Sequence, residues 1–227
     1  MKYDVIIVGA GPGGIYSAYE LMKKCSDKKI AVFDSGYSLK KRHCPIDGEK
    51  VKACIKCKSC SIMSGFGGAG AFSDGKYNIT NDFGGTLYEY IGKKAATELM
   101  QYVDDINMAH GGEGTKMYST AGTNLKKVCL QNRLKLLNAS VRHLGTDINL
   151  VVLGRLYDEL KEHVDFYFES PVSHIECLEN GGYRVWSNDK SYDCEKCIVS
   201  VGRSGSKWME HICKELDIPT KSTRVDL

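Results

Sequence analysis

The stretch GAGPGG sets Gly9, Gly11 and Gly14 directly after the apolar run Val5-Ile6-Ile7-Val8 and directly before Ile15, Ala18, Leu21 and Met22, which recur at helical spacing. A strand that turns on glycines into a helix presents unpaired amides and the positive end of the helix dipole, a seat for a diphosphate. Gly9 permits the tight turn, Gly11 lets backbone approach the phosphates, and Gly14 lets the helix pack on the strand. Pro12 and Gly13 complete the loop. Asp34 lies 20 residues beyond Gly14, at the end of a second run, Ile30-Ala31-Val32-Phe33. Its carboxylate, with Ser35 beside it, can accept hydrogen bonds from adenosine ribose hydroxyls. The expected ligand is a dinucleotide with an ADP portion. The motif suits FAD and NAD alike, and Asp34 would repel the 2′-phosphate of NADP. The competing reading, an empty structural turn, leaves the coincidence of strand, helix and acid unexplained.

Cys54, Cys57 and Cys60 recur at i, i+3 and i+6, with Cys44-Pro45 ten residues upstream of the first. Such a run can wrap three corners of an iron–sulfur cube while a more distant Cys-Pro supplies the fourth. Four thiolates suit tetrahedral zinc equally, and unmetallated thiols are the third reading. Lys50, Lys52, Lys56 and Lys58 would stabilise thiolates in each case. An iron–sulfur cluster here would relay electrons. Cys194 and Cys197 form a second C-x₂-C pair, read as structural because Cys197 opens a buried apolar run. Ten cysteines without a leader or a loop-rich composition do not suggest a secreted disulfide scaffold.

Residues 64–76, SGFGGAGAFSDGK, carry five glycines in thirteen positions. Backbone without Cβ atoms can pass close to a flat ring, and successive amides can point at anionic oxygens, although a surface loop closed by an Asp74-Gly75 turn is the simpler alternative. Lys76 could set a positive charge beside a flavin pyrimidine. Arg142 and His143 could orient a substrate or move a proton, His143 because imidazole titrates near neutrality. Arg203 and Ser204 could contact phosphate, or Ser204 or Ser206 could cap a helix.

GAGPGG at 9–14, the cysteine cluster, GFGGAGAFSDGK at 65–76, VRHLGTD at 141–147 and VGRSGSKW at 201–208 occur in an order that resembles bacterial FAD-dependent dehydrogenases of the broader glutathione-reductase-type flavoproteins. The resemblance covers essentially the whole chain. It implies extended FAD with its ADP on the first βαβ unit, and places Gly67, Gly68, Gly70, Ser73 and Asp74 beside the flavin end. It also implies a backbone contact from Val172 to adenine and Gly202 closing over the ADP, next to Arg203. Relatives of this kind continue past Arg224-Val225-Asp226-Leu227 into the rest of a substrate domain and a late Gly-Asp segment, so a truncated or split protein is the expectation, with the missing portion as a partner.

The elements that must position these residues read as α/β. A Rossmann-like FAD-binding domain is expected, with a parallel sheet, a βαβ unit and an antiparallel β-meander crossover, plus a partial, mainly helical inserted region. Helices are predicted over 87–109 and 125–137 and through Leu153, Leu156, Leu160 and Val164. Strands are predicted at 3–8, 30–33, 140–144, 165–169, 171–178, 182–187, 190–193 and 197–201, with Gly181-Gly182 as a hairpin turn. Residues 36–85 read as one long loop. The domain reading is 1–78 and 145–205 for the nucleotide-binding part, 79–144 for the insert, and 206–227 for the start of a substrate domain.

A hydrophobic content of 42% in 227 residues supports a packed core. A formal charge of +3 gives no reason to expect a nucleic-acid partner. No apolar run reaches the roughly 18–20 residues of a membrane span, so a cytoplasmic location without membrane association is expected. The leading function is an FAD-dependent oxidoreductase acting on a small molecule or redox partner, with NAD(P)H or a cysteine-held cluster exchanging electrons. A non-catalytic nucleotide- or metal-binding fragment and an RNA-modifying flavoprotein are the alternatives.

Overall fold

The computed structural model describes residues 1–179 and 181–222 and forms two units. The first comprises residues 1–70 and the described residues from 157 onward, and the second comprises Ala71–Leu156. Residues 224–227, where the truncation was inferred, lie outside the described residues.

The first unit is built on a six-stranded sheet. Strand β1 (Lys2–Val8) pairs in parallel with β2 (Ile30–Phe33) on one side and with β9 (Lys190–Val199) on the other. Beyond β2 lies β6 (Val164–Tyr167), also parallel. Beyond β9, β8 (Tyr183–Ser187) and β7 (Val172–Cys177) run antiparallel, giving the order β6-β2-β1-β9-β8-β7. Val5, Ile6, Ile7 and Val8 are all buried, as a central parallel strand covered on both faces requires. Helix α1 (Pro12–Lys24) closes the βαβ unit and buries Ile15, Ala18 and Met22.

A local irregularity sorts the side chains of β1. The amides of Asp4 and Val5 both donate to the Lys29 carbonyl, at 2.9 and 3.3 Å, and Tyr3 joins Ile6 and Val8 in the same core. The paired strand follows suit. Cys194 sits opposite Tyr3 and Cys197 opposite Ile6, and both pack into that core, although strict alternation would separate them. Residues 190–199 therefore form one strand rather than the two expected, and Cys197 lies inside it instead of opening it.

The second unit holds a three-stranded antiparallel sheet in the order β3-β5-β4, made of β3 (Lys76–Ile79), β4 (Met117–Ser119) and β5 (Ser140–His143). The predicted helix over 87–109 is divided at Gly92, whose φ of +81° is left-handed, into α2 (Leu87–Ile91) and α3 (Lys93–Asn107). Helix α4 (Leu125–Gln131) stops short of 137, where Arg133 turns at φ +59°. Helix α5 (Gly145–Leu160) starts earlier than the apolar spacing suggested, and Val164 opens β6 instead of extending the helix. Helix α6 (Ser206–Glu215) contributes Ile212 to the core of the first unit. Among the described residues no helix is long and apolar enough to cross a membrane.

Candidate functional site

The turn between β1 and α1 explains its glycines one by one. Gly9 has φ +106°, and a Cβ there would collide with the Ser200 carbonyl at the end of β9. A Cβ on Gly14 would collide with the Gly9 carbonyl, and one on Gly13 with Ser200 Oγ. These three positions are glycine for the chain's own packing. Gly11 is different. Its φ of −76° suits any residue, and a Cβ would meet only Gly68 Cα, at an ordinary 3.9 Å. The space over Gly11 is room the fold itself does not need.

That room lies at the start of a helix prepared for an anion. Gly11 is the N-cap and makes no side-chain cap, Pro12 takes the first helical position where its missing N–H is harmless, and no acidic residue lies in the first turn. The helix therefore directs open amides and the positive end of its dipole outward.

Asp34 faces this turn. Its Oδ2 accepts the Ala10 amide at 2.7 Å and its Oδ1 accepts the Gly36 amide at 2.7 Å, leaving each oxygen a further lone pair. Ser35 beside it is exposed. The backbone of Asp34 is held by the segment that follows β6: its amide donates to the Tyr167 carbonyl at 2.9 Å and the Ser170 amide donates to its carbonyl at 2.9 Å. This brings the approach to Val172 alongside Asp34. The Val172 side chain itself is buried in the core.

The distant glycine-rich loop also arrives here. Phe66 is fully buried, its ring packed against Tyr157 and Phe166 at centroid distances of 5.0 and 5.7 Å. The next residue, Gly67, donates its amide to the Ala10 carbonyl at 2.8 Å. A Cβ on Gly68 would stand 3.1 Å from Gly11 Cα, and one on Gly70 3.9 Å from Pro12 Cγ. Gly67, Gly68 and Gly70 thus form a second wall against Gly11 and Pro12. Gly202, at φ +64°, turns the chain just beyond Ser200, and Arg203 follows it, exposed.

Sequence reasoning missed the residue that shapes this wall. Arg42 is 5% exposed. Its Nε donates to the Ser61 carbonyl at 2.8 Å, Nη1 to Phe66 at 2.6 Å and Nη2 to Ile62 at 2.8 Å. Burial pulls its basicity below the ordinary guanidinium value, against the attraction of Asp34. Its partners are backbone carbonyls, which leave no pattern in a sequence. Ser200, the packing neighbour of Gly9 and Gly13, was missed for the same reason.

In the second unit the structure joins two further motifs. The Leu144 amide donates to the Gly75 carbonyl at 2.9 Å, the Gly145 amide to Asp74 at 3.1 Å, and Thr146 Oγ1 to the Ser73 carbonyl at 3.0 Å. Lys76 pairs across the sheet with His143. Lys76 Nζ also forms an ion pair with Asp74 at 2.7 Å, both side chains being about half exposed. The hydrogen bond from Lys76, with the nearby His143, holds the Asp74 carboxyl below its usual range. Arg142 is otherwise engaged. Its Nε and Nη2 bind Asp104, the latter at 2.7 Å, and Nη1 donates to the Thr115 carbonyl at 2.7 Å. With Asp104 1% exposed, this is a buried ion pair bracing α3 against β5.

The metal reading gains no support from the structure. Cys54, Cys57 and Cys60 are exposed on a loop, Cys44 is half-buried, and among the described residues no three His, Cys, Asp or Glu side chains converge as a metal-holding group. Lys56 takes φ +52°, turning the backbone between the thiols while its amide donates to Cys54 Sγ at 3.4 Å. The spacing is right for a cluster, but the loop path does not gather the four sulfurs. Cys194 and Cys197 do face one another. A hydrogen bond from Cys197 lowers the Cys194 thiol, and that bond together with burial pushes the Cys197 thiol up.

No family model matches the chain. A Clostridium beijerinckii protein described only as uncharacterized is 24% identical over 217 residues, which cover 95% of this chain and 34% of the relative. The chain thus spans about a third of that relative's length. Glycine oxidase from Geobacillus kaustophilus matches with a TM-score of 0.52 at 15% identity, over 95% of this chain and 58% of the oxidase. The open form of NikD, described as an unusual amino acid oxidase essential for nikkomycin biosynthesis, matches with a TM-score of 0.51 at 9% identity, over 95% of this chain and 54% of NikD. The chain has the Rossmann-like α/β fold of these oxidases.

Proposed function

We propose that the chain binds FAD and serves an oxidoreductase. The observation that carries this reading is the free space over Gly11, walled by Gly68, at the open N-terminus of α1 with Asp34 turned toward the same turn. A diphosphate seated there would meet helix amides, and the adenosine ribose would meet the free lone pairs of Asp34. Gly67, Gly68 and Gly70 allow a ligand to pass close to backbone. Gly202 and Arg203 are assigned to the outer side of the same diphosphate, and the backbone at Val172 to adenine.

Bound flavin would supply two-electron chemistry toward a small-molecule substrate or NAD(P)H. The chain's own groups would bind and orient it and set the charge around it. Within the second unit, Lys76 is proposed as a source of positive charge, moderated by its ion pair with Asp74, and exposed His143, its neighbour across the sheet, as a further polar group alongside Ser73. The oxidase chemistry named for the two solved structures of like fold supports an oxidoreductase. The whole protein's substrates and partners remain part of this proposal, because the relative is about three times longer. The test is titration of the purified chain with FAD, followed by its visible spectrum. Saturable binding, competed by ADP and accompanied by a perturbed flavin spectrum, is expected. Absence of binding at tens of micromolar FAD would refute the reading.

A further inference from the structure

We infer that Arg42 is the positioning residue of the cofactor cleft, holding the second glycine wall against the first. The inference rests on the FAD reading above and adds to it a residue that lies outside both glycine motifs in sequence and holds the second through its backbone.

Arg42 reaches three carbonyls with three different nitrogens, those of Ser61, Ile62 and Phe66, all at 2.6–2.8 Å. Hydrogen bonds from a charged, nearly buried guanidinium are short and directional, and the planar fork fixes the relative placement of all three acceptors. The last acceptor, Phe66, immediately precedes Gly67, whose amide binds the Ala10 carbonyl at 2.8 Å. From Gly67 the chain passes directly to Gly68 over Gly11. Arg42 thus lies one residue removed from the backbone that lines the cleft.

The same loop is fixed from its other side. Tyr37 and Gly65 form a parallel bridge, the Phe66 amide donates to the Tyr37 carbonyl at 3.1 Å, and Gly36 is bound by Asp34. Asp34, Gly36, Tyr37, Gly65, Phe66, Gly67 and Ala10 therefore form a closed circuit, to which Arg42 is joined at the Phe66 carbonyl.

The experiment measures FAD and ADP affinity, together with thermal stability of the ligand-free chain, for wild type, Arg42→Lys, Arg42→Met and Arg42→Ala. FAD dissociation constants are expected to rise about 30-fold in Arg42→Met and about tenfold in Arg42→Lys, which keeps the charge without the fork. In Arg42→Ala, millimolar guanidinium should restore FAD affinity several-fold, while equal sodium chloride should not. Gly68→Ala guards against an Arg42 variant that fails to fold. With Arg42 intact, its Cβ would press on Gly11 Cα at 3.1 Å and should weaken FAD binding by a similar factor. Wild type that binds FAD, with folded Arg42 variants of unchanged affinity or a Gly68→Ala variant of unchanged affinity, overturns the inference alone. Wild type that binds neither ligand overturns the FAD reading and the inference together.

Discussion

Asp34 Oδ2 accepts the amide of Ala10 at 2.7 Å, so the acid that ends β2 is fastened to the turn that opens α1. The carboxylate sets the shape of the diphosphate seat and stands ready for the sugar beside it. Asp34→Ala should free two amides, of Ala10 and Gly36, at a cost of about 2–3 kcal/mol in urea unfolding. It should also erase discrimination at the ribose. Wild type is expected to prefer ADP over 2′,5′-ADP in competition with FAD, and Asp34→Ala to lose that preference. A retained preference would detach Asp34 from the ribose.

Gly9 and Gly11 should respond oppositely to alanine. At Gly9 the left-handed φ of +106° and the Ser200 carbonyl leave no place for a Cβ, so Gly9→Ala should lose about 2–4 kcal/mol of stability. Gly11→Ala should leave the ligand-free melting temperature within about 2 °C of wild type, because its φ is ordinary and its Cβ contact unstrained. The same substitution should weaken FAD binding at least tenfold, since the methyl group enters the diphosphate space. Equal affinity in Gly11→Ala would show that nothing approaches that backbone.

Arg142 is expected to matter for stability before chemistry. Arg142→Met strands Asp104, 1% exposed, without its cation and should cost about 3–5 kcal/mol. Arg142→Met combined with Asp104→Leu should recover part of that loss, because two apolar groups replace two buried charges. Urea unfolding of the two variants decides the matter. A fully stable Arg142→Met would return the residue to the list of substrate-binding candidates.

Alkaline unfolding should be governed in part by Tyr3. Burial, reinforced by hydrogen bonds with Tyr167 and Asp165, pushes the Tyr3 hydroxyl far above its ordinary value of 10.0. In the unfolded chain Tyr3 ionises near its ordinary value, whereas the folded chain keeps the proton. Stability from this group is therefore fully present below about pH 10 and declines as pH rises beyond it. Tyr3→Phe should flatten the alkaline limb of stability against pH while lowering stability at pH 7. An unchanged alkaline slope would contradict this.

The legible parts of the chain were those written in local spacing. Val5 to Val8, the glycines of the turn and Ile15 to Met22 each signal by neighbours within one helical turn or one strand, Asp34 by closing the next strand at a fixed distance, and these elements fold as read. Strand β3 was hidden because Lys76-Tyr77-Asn78-Ile79 has no apolar run and is defined only by pairing with β5. The shared core of Cys194 and Cys197 was hidden because their separation in sequence departs from the two-residue period of a strand. Arg42 follows Lys40 and Lys41 in sequence, and only its burial against three carbonyls distinguishes it. The cysteine spacing alone carries less, since a pattern fixes sequence distance and not the path of the loop between the thiols, and among the described residues no metal-holding group is gathered.

The decisive measurement is a calorimetric titration of the ligand-free wild-type chain with FAD, repeated with ADP already bound. A single saturable site, blocked stoichiometrically by ADP and weakened by Gly11→Ala, is the expected result. FAD binding that ADP leaves untouched, or no FAD binding by a folded chain, would contradict the placement of the cofactor's diphosphate at the mouth of α1.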